Sequence, residues 1–165
     1  MKNYTSYDLI EWGKPFEKSQ HALPEPTLSE VLIRVTAAGL CHSDLHVQKG
    51  YMDLGEEGRL TFAERGAQLP MTFGHEIAGI VEAVGDKVKN VSIGQQVLVF
   101  PWIGCGDCLA CNENRESDCS VMRIIGLKQK GGFATHCLIE NEKFLVNIDG
   151  LDAADVVPHA CSGIT

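Results

Sequence analysis

Short apolar runs alternate with turn residues along this chain, and the period within each run is two. In Glu30–Thr36, the residues Val31, Ile33 and Val35 fall on one side of an extended segment. Ile77–Val84 is a second run, closed by Gly85-Asp86. Gln96–Phe100 predicts a short buried strand, and Gly132–Ile139 and Phe144–Ile148 predict two more. Pro24, Pro26 and Pro101 punctuate these runs, and 17 glycines suit the tight corners of a barrel. The predicted class is mainly β, a partly open barrel with short helices and with loops carrying the chemistry.

Three stretches break the β rhythm. Cys41–Gln48 predicts a helical turn. Leu54–Gln68 is polar, with Glu56, Glu57, Arg59, Glu64 and Arg65, and predicts a solvated excursion or a surface helix. Near the end, Asp149 is placed to cap a helix starting near Leu151, with Asp152 in its first turn. Pro158 should interrupt or kink that segment.

A length of 165 residues suits one domain, and 44% hydrophobic content is enough for a sizeable core. The net charge of -8 argues against a nucleic-acid partner, and no basic stripe offsets it. No run of roughly 18 apolar residues predicts a membrane span. The opening Met1-Lys2-Asn3-Tyr4 lacks the apolar core of a signal peptide. Of seven cysteines, four are clustered at metal-ligand spacing, so a reducing, cytoplasmic setting is expected ahead of disulfides. Neither Gly104-Cys105-Gly106 nor Gly131-Gly132 has the spacing to cradle a pyrophosphate, so no nucleotide site is expected in this chain.

The strongest chemical signal is Cys105-x2-Cys108-x2-Cys111-x7-Cys119. Each Cys-x2-Cys step puts two thiolates on one turn. The fourth returns after the polar stretch Asn112–Asp118, which is too polar to hold itself by core packing. Structural zinc is the leading reading. An iron–sulfur cluster is the rival, but the proline that usually follows a later cysteine in such runs is missing. Cys41, His75 and Cys161 are reactive types at isolated positions. Taken one by one, they read more readily as core cysteines and a structural histidine than as ligands.

Three motifs in order change that picture. Gly74-His75-Glu76-x2-Gly79-x5-Gly85-x2-Val88, the stretch Gly39-Leu40-Cys41-His42-Ser43-Asp44-Leu45-His46, and the four-cysteine lobe together resemble the zinc-containing medium-chain alcohol dehydrogenases. The resemblance is to their N-terminal GroES-like catalytic domain and runs from about Tyr7 to Thr165. It implies a GroES-like partly open barrel over 1–165, with a structural zinc lobe at about 101–122. Residues 151–165 would begin the crossover to a nucleotide-binding domain absent here.

The resemblance also implies roles. Cys41, His75 and Cys161 would be ligands of a catalytic zinc, and Glu76 the carboxylate that can approach the same ion. Cys105, Cys108, Cys111 and Cys119 would hold the structural zinc. Ser43 would take the substrate proton and His46 would pass it outward. His42 would contact the cofactor pyrophosphate, and Asp44 would orient the site. Two thiolates and a neutral imidazole leave a fourth position for an alcohol, whose hydride would go to NAD or NADP in a full-length enzyme.

The expected substrate is a small alcohol, with its aldehyde or ketone, and the parent is expected to be a homo-oligomer. The alternative is a zinc-binding structural or interaction domain without activity of its own. Leu54–Gln68 exceeds the usual loop and should border the substrate entrance. Cys161, four residues from the end, is expected to be poorly anchored.

Overall fold

The computed structural model describes residues 2–161. In chain order the strands begin with β1 (Asn3–Leu9), β2 (Glu17–Ala22) and β3 (Val31–Ala38), followed by helix α1 (His42–Lys49). Then come β4 (Tyr51–Asp53), β5 (Arg59–Thr61), β6 (Met71–Thr72), β7 (Ile77–Val84), β8 (Gln96–Val99) and β9 (Trp102–Ile103). Helix α2 (Leu109–Asn112), β10 (Arg123–Ile124), β11 (His136–Ile139), β12 (Leu145–Asn147) and helix α3 (Ala153–Val156) complete the order.

A five-stranded sheet runs β11-β3-β7-β8-β12, and a smaller one runs β2-β1-β6. Every strand pair is antiparallel. The two sheets are stitched where the segment before β11 passes β1. Tyr7 N–H donates to Phe133 O at 2.8 Å, and Thr135 N–H donates to Thr5 O at 2.8 Å. This seam bends the sheets into the partly closed barrel that the apolar pattern predicts. It also explains why the run expected at Gly132–Ile139 forms strand only from His136. Gly132 and Phe133 give their N–H groups to Gly74 and Phe73 instead.

Both faces of the large sheet are covered. On one, Val31, Ile33, Ile77, Val81, Val97 and Val99 form the main core. On the other, Ala78 and Leu98 meet Ile148, Val157 and Ala160. Alternate side chains of β7 and β8 therefore serve different cores, as the pleat requires. A third cluster joins Leu9, Val47, Phe62, Ala67 and Phe73 beneath α1.

Several expectations need correction. β1 and β2 escape the apolar pattern because the buried face of β1 is Tyr4, Ser6 and Asp8. Asp8 is tolerated there because it is bonded: Thr72 Oγ1 donates to it at 2.6 Å, and His21 Nε2 lies 2.9 Å from it, whereas Ser6 Oγ has no partner among the described residues. Leu54–Gln68 is not a helix. It holds a short 3-10 turn at Gly55–Glu57 and then β5, which pairs with β4 as a ribbon.

That stretch is not wholly solvated either, since Phe62 and Ala67 are buried. The ribbon leaves from the C-terminal end of α1, where Phe62 N–H donates to Gly50 O at 3.0 Å. Cys41 sits at the other end of that helix, about 12 Å along its axis. The helix expected near Leu151 starts at Ala153. Its cap is Asp152, whose Oδ1 accepts the Ala154 N–H at 2.8 Å, while Asp149 accepts the Gln96 N–H instead. Beyond it, Val157–Ala160 tightens into a 3-10 turn with Pro158 in its first turn, so the proline does end the α geometry. Ser162 to Thr165 lie outside the described residues.

Candidate metal centres

The pairing of β3 with β7 brings one site together. Ala38 is the Cα partner of Ile77, so the segment leaving β3 meets the segment entering β7. Cys41 is the N-cap of α1, three residues beyond that pair, and His75-Glu76 stands just before it. Gly39 N–H donates to Glu76 O at 3.0 Å, and a Cβ at Gly39 would collide with the Glu76 carboxylate. Gly74 takes φ +89, the left-handed turn that aims His75 into the site. The third contributor, Cys161, ends the 3-10 turn. Val157 (4% exposed) and Ala160 (0%) bury that turn on the sheet, so Cys161 is not poorly anchored.

One ligand atom from each of Cys41, His75, Glu76 and Cys161 lies within 4.8 Å of all the others. The His75 ring is oriented from both sides: Nδ1 faces Asp44 Oδ1 at 3.4 Å, and Nε2 is 3.5 Å from Ser43 Oγ. An Nδ1–H directed at Asp44 leaves Nε2 free to ligate. Burial alone would lower the His75 pKa, but the Asp44 carboxylate outweighs it and the pKa is raised. Burial would raise Cys41, yet hydrogen bonds from Ser43 and His75 hold it low. Cys161 is pushed up to about 11, by burial and then by the neighbouring Cys41 thiolate. Glu76 is raised by burial first. Ionised together, two thiolates and a carboxylate this close would repel one another, and a divalent cation relieves that repulsion. The donor set therefore fits a metal.

The second cluster hangs from the ribbon of β9 and β10, which closes residues 104–122 into a lobe. Cys105, Cys108, Cys111 and Cys119 again have sulfurs within 4.8 Å of one another. Cys108 Sγ is 3.5 Å and Cys105 Sγ 3.9 Å from Cys111 Sγ. Four thiolates around one zinc, at the usual Zn–S length, have sulfurs about 3.8 Å apart. The thiols are held out of balance: backbone N–H groups of Asp107 and Cys108 bring Cys105 down to about 6. The Gly106 N–H lowers Cys111, but desolvation and the three neighbouring sulfurs override it and push Cys111 to about 11. The lobe is tied to the barrel by Lys143 Nζ, which donates to the buried Glu116 carboxylate at 2.7 Å. That pair is invisible in the sequence because its members are 27 residues apart.

His42 and His46 join neither cluster. They stack on each other along α1, with ring centroids 4.7 Å apart. Cys137, the seventh cysteine, is buried in the main core. Burial pushes its thiol to about 12, so it is an inert core residue. No helix among the described residues is long and apolar enough to cross a membrane.

An antiparallel barrel with a four-thiolate lobe and a separate Cys/His/Glu/Cys cluster defines a metal-binding β domain. Residues 27–150 match the family described as the alcohol dehydrogenase GroES-like domain, and the chain belongs to that family. An NAD-dependent alcohol dehydrogenase of Sulfurisphaera tokodaii is 40% identical over 158 residues, which are 95% of this chain and 44% of that protein. The D-arabinose dehydrogenase structure from Sulfolobus solfataricus superposes with a TM-score of 0.80 at 30% identity, covering 97% of this chain and 45% of that one. The alcohol dehydrogenase of Aeropyrum pernix gives 0.81 at 27% identity, covering 98% and 45%. This chain thus spans less than half the length of the relatives it matches.

Proposed function

We propose that this chain is the catalytic, zinc-binding part of a zinc-dependent alcohol dehydrogenase, which oxidises an alcohol to an aldehyde or ketone with NAD or NADP as hydride acceptor. The observation that carries this reading is the convergence of Cys41, His75, Glu76 and Cys161 donor atoms within 4.8 Å, beside Ser43. Cys41, His75 and Cys161 would hold the ion, with Glu76 as an alternative fourth ligand. Zinc bound there supplies a Lewis acid that makes an alcohol hydroxyl easier to deprotonate.

The other roles belong to α1. Ser43 Oγ, which lies next to the His75 ring, would accept the substrate proton. His46 is three residues on, so it shares that helix face and, being only partly covered, passes the proton to solvent. His42 is exposed beside it and is offered to a cofactor pyrophosphate. Asp44 keeps the imidazole oriented. The four lobe cysteines would hold a second zinc whose role is structural.

The test is expression of the reading frame together with any coding sequence downstream of codon 165, and an assay of NAD and NADP reduction across primary, secondary and sugar alcohols. Turnover that disappears with Cys41→Ser supports the reading. A zinc-replete protein that contains a dinucleotide-binding half, yet oxidises none of these, overturns it.

A further inference from the structure

The ribbon of β4 and β5 joins neither of the larger sheets, so both its edges are unpaired among the described residues. Its tip is nevertheless ordered. Leu54 N–H donates to Gly58 O at 2.8 Å, and Gly55 N–H donates to Asp53 Oδ1 at 3.0 Å. The tip presents Leu54, 42% exposed, with Glu56 and Glu57. Among the described residues neither glutamate has a cationic partner.

At the root of the same ribbon lies a groove of about 640 Å³. It is lined by the buried Phe62, by Val121 and Leu127, and by the basic residues Arg65 and Lys128. Lys128 Nζ is held there by the bond it donates to the Arg65 carbonyl at 2.8 Å. Neither Lys128 nor Arg65 has a carboxylate partner among the described residues. In a chain of net charge -8, an unpaired basic groove and an unpaired acidic tip therefore share one short ribbon. Three strand residues separate them, about 10 Å.

We propose that two copies of this chain associate about a two-fold axis with their ribbons antiparallel. The Leu54/Glu56/Glu57 tip of each copy seats in the Arg65/Lys128 groove of the other. The antiparallel arrangement places tip against root twice, so one complementary pair of surfaces closes the dimer. The ordered tip loses little freedom on docking. Leu54 and Val121, which is 66% exposed, cover each other from water, and the open ribbon edges can exchange backbone hydrogen bonds. The charges select the partner and set the salt dependence more than they set affinity.

The experiment is sedimentation of the 165-residue chain over a range of protein concentration and salt. The wild type should dimerise at low salt, with a dissociation constant rising about tenfold or more towards roughly 0.5 M salt. The Glu56→Lys/Glu57→Lys variant and the Arg65→Glu/Lys128→Glu variant should each be monomeric. An equimolar mixture of the two should dimerise again, because each now carries the charge the other lacks. Circular dichroism and zinc content check that each variant is folded. Should a reversal fail to fold, the corresponding glutamine pair gives the same reading as a weakened dimer. A monomeric wild type overturns the proposal, even if the groove then takes up a glutamate-rich peptide. So does a dimer indifferent to both variants, or a mixture of folded variants that stays monomeric.

Discussion

Asp44 faces His75 Nδ1 at 3.4 Å through one carboxylate oxygen, while its other oxygen accepts the Cys41 N–H at 2.9 Å. One buried side chain thus closes the first turn of α1 and sets the ring of a candidate metal ligand. The two jobs separate by substitution. Asp44→Asn keeps an acceptor for the helix N-terminus but removes the charge behind the imidazole. It should lower metal affinity at the Cys41/His75/Cys161 site by about 10–100-fold while leaving the melting temperature nearly unchanged. Asp44→Ala should lose both, with about 1 kcal/mol of stability besides. Chelator competition and thermal melts report the two effects independently.

The lobe should keep its metal longest. Four thiolates close a site completely, whereas three ligands from separate elements leave a position open to solvent. Zinc analysis should find about two ions per chain, and brief chelation should remove the one at Cys41/His75/Cys161 first. Cys108→Ser should leave one zinc and open residues 104–122 to protease, since metal binding and lobe folding are one free energy. A variant that keeps both ions and its protease resistance contradicts the assignment of the four cysteines.

Much of the candidate site is legible in the amino-acid sequence. The spacing of Cys105, Cys108, Cys111 and Cys119 is local, so sequence alone carries it. Cys41 and His75 are legible only through the motifs around them, because their meeting depends on the β3–β7 register. The hold on Cys161 is not legible. It rests on Val157 and Ala160 packing against Ala78 and Leu98, the side of the sheet opposite the main core. β1 is hidden for a different reason: two of its buried positions, Ser6 and Asp8, are polar, Asp8 is bonded by Thr72 from far along the chain, and periodicity of apolar residues does not see them.

Glu116 and Lys143 provide a test of how the lobe is attached. Lys143→Met leaves the Glu116 carboxylate, 8% exposed, without its partner. The expected loss is about 1–3 kcal/mol, read as a lower denaturation midpoint, with the lobe protease-sensitive before the barrel unfolds. The double variant Glu116→Gln/Lys143→Met removes the charge as well and should recover part of that loss.

Asp8 should give the chain an acid limit unrelated to metal. Burial would raise its pKa, but hydrogen bonds from Thr72 and His21 outweigh burial and hold it below the ordinary value. A depressed folded-state pKa contributes stability that is fully present above the unfolded value, near 3.9. That contribution is lost as pH falls through the folded value. Asp8→Asn should therefore be less stable than wild type at neutral pH, and the gap should narrow in acid. Denaturant midpoints of the two proteins between neutral and acid pH check this, and parallel profiles contradict it.

The 165-residue chain by itself should turn over no alcohol, even with both metal sites filled. Its strand pairs are antiparallel, and among the described residues no doubly wound parallel sheet is present to receive a dinucleotide. Ser43, His46 and the ligand cluster prepare one side of a reaction. A hydride donor and acceptor react only when held within about 3–3.5 Å in the right orientation, and nothing among the described residues fixes the nicotinamide. The site also lies open, because Cys41 and Cys161 are only partly covered, so water is not excluded from it. The assay is absorbance of reduced NAD or NADP with assorted alcohols and zinc-loaded chain. Zinc-dependent reduction that is lost with Ser43→Ala would show that this part catalyses alone. Absence of turnover, combined with metal bound at Cys41, His75 and Cys161, is the expected result.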